Sequence, residues 1–342
     1  MNKAGRIISV NPPYAIPGGE IAIECENFQL DSETGYACVV GGKRARLIGA
    51  SETRILAIVP AELNELQTEI YLESGGERSE SFNCTIGKKL ADNLHIVANP
   101  AIDPRDDSII VTRSGSRGQQ LPVTLFRLET DGYLNEMPAE ILNPTAVAFS
   151  RSGNLYVTNR SDGEVCRINR DEEVVPYATG LGIATGIAFD SEDVMYVGDR
   201  SGTIYRVKEF GNQESFAILE PSVSAYHLAF GTGGRLYVTA PGLASFDAVY
   251  VIDEEGYEEK YFRGFGRPQG LAFDTEGNLY VAACYQGVHG IVRITPNAES
   301  AEMFVAGMNV VGLCFTRKGE MIVATNDSVF SIPVGVYGTL LD

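Results

Sequence analysis

Residues 270–284 read GLAFDTEGNLYVAAC, and the chain repeats this phrase with small changes. Upstream stand AVAFSRSGNLYVTN (146–159), GIAFDSEDVMYVGD (186–199) and HLAFGTGGRLYVTA (227–240), and downstream stands GLCFTRKGEMIVAT (312–325). Each copy is a short apolar run, a polar turn that contains glycine in four of the five, and a second alternating apolar run, the pattern of two strands joined by a tight hairpin. The aromatic that ends the first run falls at Phe149, Phe189, Phe230, Phe273 and Phe315, in steps of 40, 41, 43 and 42 residues. A degenerate first copy, NPAIDPRDDSIIVT (99–112), puts Ile102 in that place, 47 residues before Phe149, which makes six units.

A period of 40 to 50 residues with several strands per unit marks a β-propeller, in which a single blade cannot bury both of its faces alone. In the fifth unit the four strands are expected over 270–273, 278–282, 290–294 and 301–305, with residues 274–277 as the first hairpin turn. The phrase resembles the NHL-repeat and gluconolactonase-like six-bladed propellers at Pro268, Gly270, Ala272, Phe273, Asp274, Gly277, Asn278, Tyr280 and Val281. That likeness speaks to fold, because propellers host enzymes, sensors and scaffolds alike. The sixth unit shows three strands ending near Pro333, so its outer strand comes from 334–340 or from the segment near 88–96, with the second favoured.

Residues 1–87 precede the repeats and read as about seven short strands punctuated by Gly and Pro, which points to a small β-sandwich. The order Pro12, Pro17-Gly18-Gly19, Ile21-x-Ile23, Asn27-Phe28, Gly41-Gly42, Ile58-Val59-Pro60 resembles an IPT/TIG domain, an immunoglobulin-like fold. Such domains occur in surface receptors, as spacers in carbohydrate-active enzymes, and in Rel-type transcription factors. The last use is poorly matched, since Lys43, Arg44 and Arg46 are the only basic cluster of this part. The expected fold class is therefore all-β, an immunoglobulin-like β-sandwich (1–87) plus a six-bladed β-propeller (88–342, repeats near 93–142, 143–182, 183–223, 224–266, 267–308 and 309–342), in a bacterial-type two-domain chain.

The formal net charge is -18, and both parts are acidic. Binding to nucleic acid or anionic lipid needs Lys and Arg to neutralise phosphates, so neither is expected as a partner. No signal-peptide core and no 18-residue apolar run occurs, which gives a cytoplasmic expectation for the sequence as it stands. The six cysteines include no CxxC pair and sit in apolar strand patterns, as buried free thiols do.

In a propeller the loops that lead into the inner strands converge with the loops between second and third strands on one face, around the central channel. The positions four residues before each anchor are Ala98, Thr145, Thr185, Tyr226, Gln269 and Val311. In the gluconolactonase group several of these positions help hold a divalent metal with Glu, Asn and Asp. A hard cation needs six or more oxygen ligands, and this row has no carboxylate and no Asn, so none of those ligands carries over and no cofactor is expected. One residue on, the row reads Asn99, Ala146, Gly186, His227, Gly270 and Gly312. Four of these six are Gly or Ala, as crowding near the axis requires, and His227 interrupts them. Tyr226, His227 and His289, from a long loop at 284–290, are candidates to meet at the channel mouth around a planar or sugar-like ligand.

A second recurrence follows the second strands: Arg113, Arg160 and Arg200 on three consecutive units, beside Asn159 and Asp199. It has two explanations: pairing with Asp or with carbonyls of the next blade, or an anion-binding arc, because guanidinium forks match carboxylate and phosphate. The functional expectation is a non-catalytic binding module whose channel face takes a small polar or anionic ligand or a protein surface. The alternative is a lactone or ester hydrolase with a non-standard channel site, the one reading that calls for a divalent metal. The turn DPRDDS (103–108) is expected to be solvated.

Overall fold

The computed structural model describes residues 2–115, 119–169, 171–208, 211–243 and 247–341. From residue 88 on, it forms six four-stranded antiparallel blades. Their inner strands are Ala101–Ile102, Pro144–Phe149, Ala184–Phe189, His227–Phe230, Leu271–Phe273 and Val310–Phe315, which define blades 1 to 6. Each inner strand packs on the next, and the inner strand of blade 6 packs on that of blade 1, so the ring is closed.

Blade 6 is completed from the other end of the chain, by Lys88–Ala91 pairing antiparallel with Val329–Pro333. The residues after Pro333 turn instead across one end of the ring. There Thr275 donates its N–H to the Tyr337 carbonyl at 2.9 Å, and Gly338 bridges Asp274. This end is the floor of the molecule, and the opposite end, where the inner strands begin, is its mouth.

The repeated Tyr and Phe of the sequence interlock the blades near the floor. Tyr156, Tyr196, Tyr237 and Tyr280, on the second strands of blades 2 to 5, each lie between two rings. One belongs to the outer strand of the same blade (Tyr177, Phe216, Tyr261, Phe304) and the other to the inner strand of the next (Phe189, Phe230, Phe273, Phe315). Centroid separations run from 4.7 to 5.3 Å, the range in which edge-to-face pairs are favourable. Around blade 1 the places of the tyrosines and of the first anchor hold Ile102, Ile110 and Ile322, so the ladder of ring pairs is interrupted there.

The hairpin turn of the refrain is set by its first polar residue. Asp274 Oδ1 accepts from the N–H groups of Glu276 (3.0 Å) and Asn278 (2.8 Å), while Gly277 supplies the left-handed φ of 83°. In blade 1 the turn DPRDDS is solvated at Arg105 and Asp106 but not at its first residue. Asp103 is fully buried and paired with Arg105 and Arg127 (2.9 Å to the latter). Burial opposes its charge, but the two guanidiniums outweigh that and hold its carboxyl down at about 2.

Ahead of the ring, strands Arg6–Asn11, Glu20–Glu26, Arg54–Ile58 and Arg46–Ala50 form one antiparallel sheet, and Tyr36–Val40, Gln67–Ser74 and Phe82–Ile86 are neighbours in a second. Ile21, Ile23, Phe28, Ile55, Ile70 and Leu72 belong to the apolar core they share. This part is tied to the ring through the backbone. Tyr14–Ala15 pairs parallel with Phe82–Ile86 on one side and with the outer strand of blade 5, Ala301–Ala306, on the other. Ile16, 1% exposed, packs into the core of blades 5 and 6. All six cysteines are free, and five of them are buried.

Candidate functional site

At the mouth the rows of the sequence separate by strand alternation, because successive side chains of an inner strand point to opposite faces. Ala146, Gly186 and His227 line the central channel together with the small residues two positions on, Ala148, Ala188 and Ala229. Gly270 and Gly312 sit where the strands are tightest. A Cβ on Gly270 would meet the Asn99 side chain and the Gly312 backbone, and a Cβ on Gly312 would lie 2.7 Å from the Ala98 carbonyl oxygen. Asn99 crosses this gap, donating to the Leu271 carbonyl (2.8 Å) and accepting from the Leu313 N–H (3.1 Å), which joins blade 1 to blades 5 and 6.

Thr185 and Tyr226 are turned the other way, into the seams between blades, where the backbone carbonyls of Thr145 and Gln269 also find partners. Thr185 donates to the Gly198 carbonyl (3.0 Å) and accepts from the Tyr226 N–H (3.0 Å). The Tyr226 side chain is fully buried and its hydroxyl donates to the Glu220 carbonyl. Second-strand threonines reach across the same seams. Thr112 bonds the Thr145 carbonyl (3.3 Å), Thr158 the Thr185 carbonyl (2.9 Å) and Thr239 the Gln269 carbonyl. These latches were not singled out in the sequence, although the recurring Thr of LYVT was their signal.

Tyr226, His227 and His289 do not come together. His289 lies in a tight hairpin rather than a long loop, on strand Val288–Ile294 opposite Cys284, and is exposed. His227 is 4% exposed, its Nε2 is buried without a hydrogen-bond partner, and burial pushes its imidazole pKa down to about 4. It is therefore neutral at pH 7.

The arginine row stands at the mouth end, because Asn159 pairs with Pro144 and Asp199 with Ala184 at the starts of the inner strands. Asn159 and Asp199 serve the turns. Asn159 donates to Asp162 (2.7 Å) and Glu164 (3.1 Å), and Asp199 accepts from the N–H of Ile183 (2.7 Å). The arginines bind carbonyls of neighbouring blades: Arg160 reaches Gly115 (3.0 Å), and Arg200 reaches Ser222 (3.2 Å) and Val223 (2.9 Å). None of Arg113, Arg160 and Arg200 has a carboxylate partner among the described residues. Half-burial depresses the pKa of Arg160, and the nearby Arg200 charge depresses it further. Two neighbouring guanidiniums are thus without an ion-pair partner among the described residues.

Among the described residues no three His, Cys, Asp or Glu side chains gather to hold a metal ion. The side chains lining the channel are Ala, Gly, Pro, aliphatic, aromatic, one Asn bonded through both its nitrogen and its oxygen, one buried Cys and His227. The divalent metal implied by the gluconolactonase likeness does not fit this set, and no chemistry is derived through it. No helix is long and apolar enough to cross a membrane among the described residues.

No protein-family model and no curated protein matches the sequence. Several solved structures are similar in fold. An auxiliary nutrient binding protein from Bacteroides thetaiotaomicron is 12% identical with a TM-score of 0.55, over 96% of this chain and 98% of that one. A gluconolactonase from Xanthomonas campestris is 13% identical with a TM-score of 0.59, over 71% and 88%. Virginiamycin B lyase from Staphylococcus aureus is 13% identical with a TM-score of 0.53, over 71% and 96%. The chain is thus an all-β protein whose ring resembles gluconolactonase-like and virginiamycin B lyase-like β-propellers, and the likeness to the Bacteroides protein runs through residues 1–87 as well.

Proposed function

We propose that this protein is a non-catalytic binding module whose propeller takes a small anionic ligand at the mouth, on Arg160 and Arg200 with Arg113 beside them. Residues 1–87 act as an immunoglobulin-like, IPT/TIG-like platform fixed to blades 5 and 6. The observation that carries the reading is the uncompensated pair. In a chain of formal charge -18, Arg160 and Arg200 approach closely enough for one to lower the pKa of the other, with no carboxylate between them. Their carbonyl bonds hold the forks in place and leave further N–H groups of each guanidinium free for a carboxylate or phosphate. An anion seated there removes the repulsion and accepts those donors.

The test is a thermal melt in phosphate and in citrate, for the wild type and for the triple variant Arg113→Gln/Arg160→Gln/Arg200→Gln. The wild type is expected to gain stability with ligand concentration as mass action requires, and the variant to lose that gain. An equal gain in both proteins would overturn the reading.

A further inference from the structure

Off the axis, between blades 3 and 4, lies a cavity of about 410 Å³, within the size of pockets that hold small molecules. One wall is Leu219, Glu220 and Pro221, which follow the outer strand of blade 3, Gln213–Ile218. The other belongs to blade 4: Tyr250 on its third strand, Asp247–Ile252, and Lys260 and Arg263 on its outer strand, Glu258–Gly266. Lys260 and Arg263 are three residues apart, and in a regular strand they would point to opposite faces. A bulge puts them on the same one. Arg263 pairs with Ala248 and Lys260 with Tyr250, two residues further along the third strand, so the outer strand carries one extra residue between them.

The four charged groups around this cavity, Glu220, Asp247, Lys260 and Arg263, sum to zero, yet none is ion-paired among the described residues. Asp247 is turned inward, 8% exposed, and its Oδ1 accepts from the Gly242 N–H at 3.1 Å. Glu220, Lys260 and Arg263 are exposed. In the blades on either side, cations of the third and outer strands are closed by a glutamate of the same sheet, Arg206 and Lys208 by Glu214 and Arg293 by Glu302. Tyr250 stands between the two signs in blade 4. Lys260 Nζ lies 5.9 Å from its ring centre. Its phenol pKa is raised, by burial first and then by carboxylates that include Glu220 and Asp247, with Arg263 acting against them. Opposite charges that face one cavity and stay too far apart to pair leave room for a molecule carrying both complements. A lone anion would meet Glu220 as a repulsion, and a lone cation would meet Lys260 and Arg263. A zwitterion satisfies both walls with no net charge to place.

We propose that the cavity between blades 3 and 4 binds a compact zwitterion of the amino-acid kind, with its carboxylate on Lys260 and Arg263, its ammonium on Glu220, and an apolar side chain against Leu219 and Pro221. The site includes none of Arg113, Arg160 and Arg200 and does not depend on the anion reading.

L-Leucine is the probe. Its controls are 4-methylpentanoate, which lacks the ammonium, 3-methylbutylamine, which lacks the carboxylate, and glucose, a polar molecule with no charge. Each is titrated calorimetrically into the full chain in phosphate-free buffer. Leucine is expected to bind saturably and roughly tenfold tighter than either singly charged control, the worth of one charged contact. Arg263→Gln is expected to erase most of its advantage over the amine, and Glu220→Gln most of its advantage over the acid. Both residues are exposed, so neither change threatens folding. In Arg113→Gln/Arg160→Gln/Arg200→Gln the affinity for leucine is expected to equal that of the wild type, which separates this site from carboxylate binding at the mouth. The proposal is overturned if leucine gives no saturable heat up to its solubility limit, if glucose or a singly charged control binds as tightly, if Arg263→Gln and Glu220→Gln keep the discrimination, or if the triple variant loses leucine.

Discussion

At the floor end of the inner strands, Phe189, Phe230, Phe273 and Phe315 each meet a tyrosine of the preceding blade in the same way. At the mouth end the carbonyls of Thr145, Thr185 and Gln269 share a threonine latch, but the side chains of the row differ: Thr185 and Tyr226 are hydrogen-bonded in the seam, whereas Thr145 Oγ1 and His227 Nε2 have no partner. The floor faces one problem six times over, the packing of a blade on its neighbour, and four junctions solve it with identical rings. The mouth repeats only its threonine latches. Its other residues vary because six loops with different contents converge there, and Asn143, Thr145 and His227 each keep a buried polar atom without a partner.

The strongest way to break this contrast is to remove one ring of the ladder. Tyr280 is fully buried between Phe304 and Phe315, and its hydroxyl donates to Asp274 Oδ2 at 3.1 Å. Tyr280→Ala is expected to cost about 4 kcal/mol in urea unfolding, within the range for large aromatic truncations. Tyr280→Phe keeps the ring, and about 1 kcal/mol is expected for the lost hydroxyl bond. Should Tyr280→Ala cost less than about 1 kcal/mol, the ladder is not what holds blades 5 and 6 together.

The next effect belongs to the mouth and is read through pH. Burial sets the His227 pKa at about 4 in the folded chain, against about 6.5 for an unperturbed histidine. Between these values the unfolded chain binds the extra proton, so stability rises with pH across the window. The contribution is complete above pH 6.5 and is lost as the pH falls toward 4, by about 3 kcal/mol at 1.36 kcal/mol per pH unit. The difference in unfolding free energy between wild type and His227→Phe, followed from pH 7 to 4, should trace that loss. A difference that stays flat would show that the imidazole is solvated in the folded chain.

How much of this was legible in the sequence follows from the same contrast. GLAFDTEGNLYVAAC gave away the blades because Phe273, Asp274, Gly277 and Tyr280 do in blade 5 what their counterparts do elsewhere, so the constraint is written several times. The mouth was harder because strand alternation decides which row faces the axis. Thr185 and Tyr226 turn into the seams, whereas the channel face carries small residues at a spacing of two, as in Ala146 and Ala148 or Gly186 and Ala188. That spacing was present in the sequence as a signal. Two other features depend on partners far away in the chain and left no local trace. One is Asn99, which reaches across to Leu271 and Leu313. The other is Asp103, whose burial rests on Arg127, 24 residues on.

A smaller effect separates the seams from the mouth. The Thr158 hydroxyl accepts from the Ala146 N–H at 2.9 Å and donates to the Thr185 carbonyl at 2.9 Å, all of it buried. Thr158→Val keeps the shape and strands both backbone groups, at an expected cost of about 1–2 kcal/mol. Thr158→Ser retains the hydroxyl and is expected to restore most of that loss. A neutral Thr158→Val would mean that the blades register without the threonine latches.

The smallest expected change falls on the rim, and there it carries the most functional weight. Arg200 is exposed, so its bonds to the Ser222 and Val223 carbonyls compete with water and contribute little. Arg200→Gln is expected to change ligand-free stability by less than about 1 kcal/mol. Removing its charge also frees Arg160 from a like-charged neighbour, which offsets part of any lost bonding. Phosphate stabilisation should weaken roughly tenfold in midpoint concentration, as the loss of one charged fork implies. Arg200→Lys should recover only part of it, because a point charge replaces a planar pair of donors. The two readouts separate the roles of the residue. A large loss of ligand-free stability with phosphate binding intact would make Arg200 one more joint between blades, of the kind the floor repeats. The reverse outcome sets it among the mouth groups whose donors are left for something outside the fold.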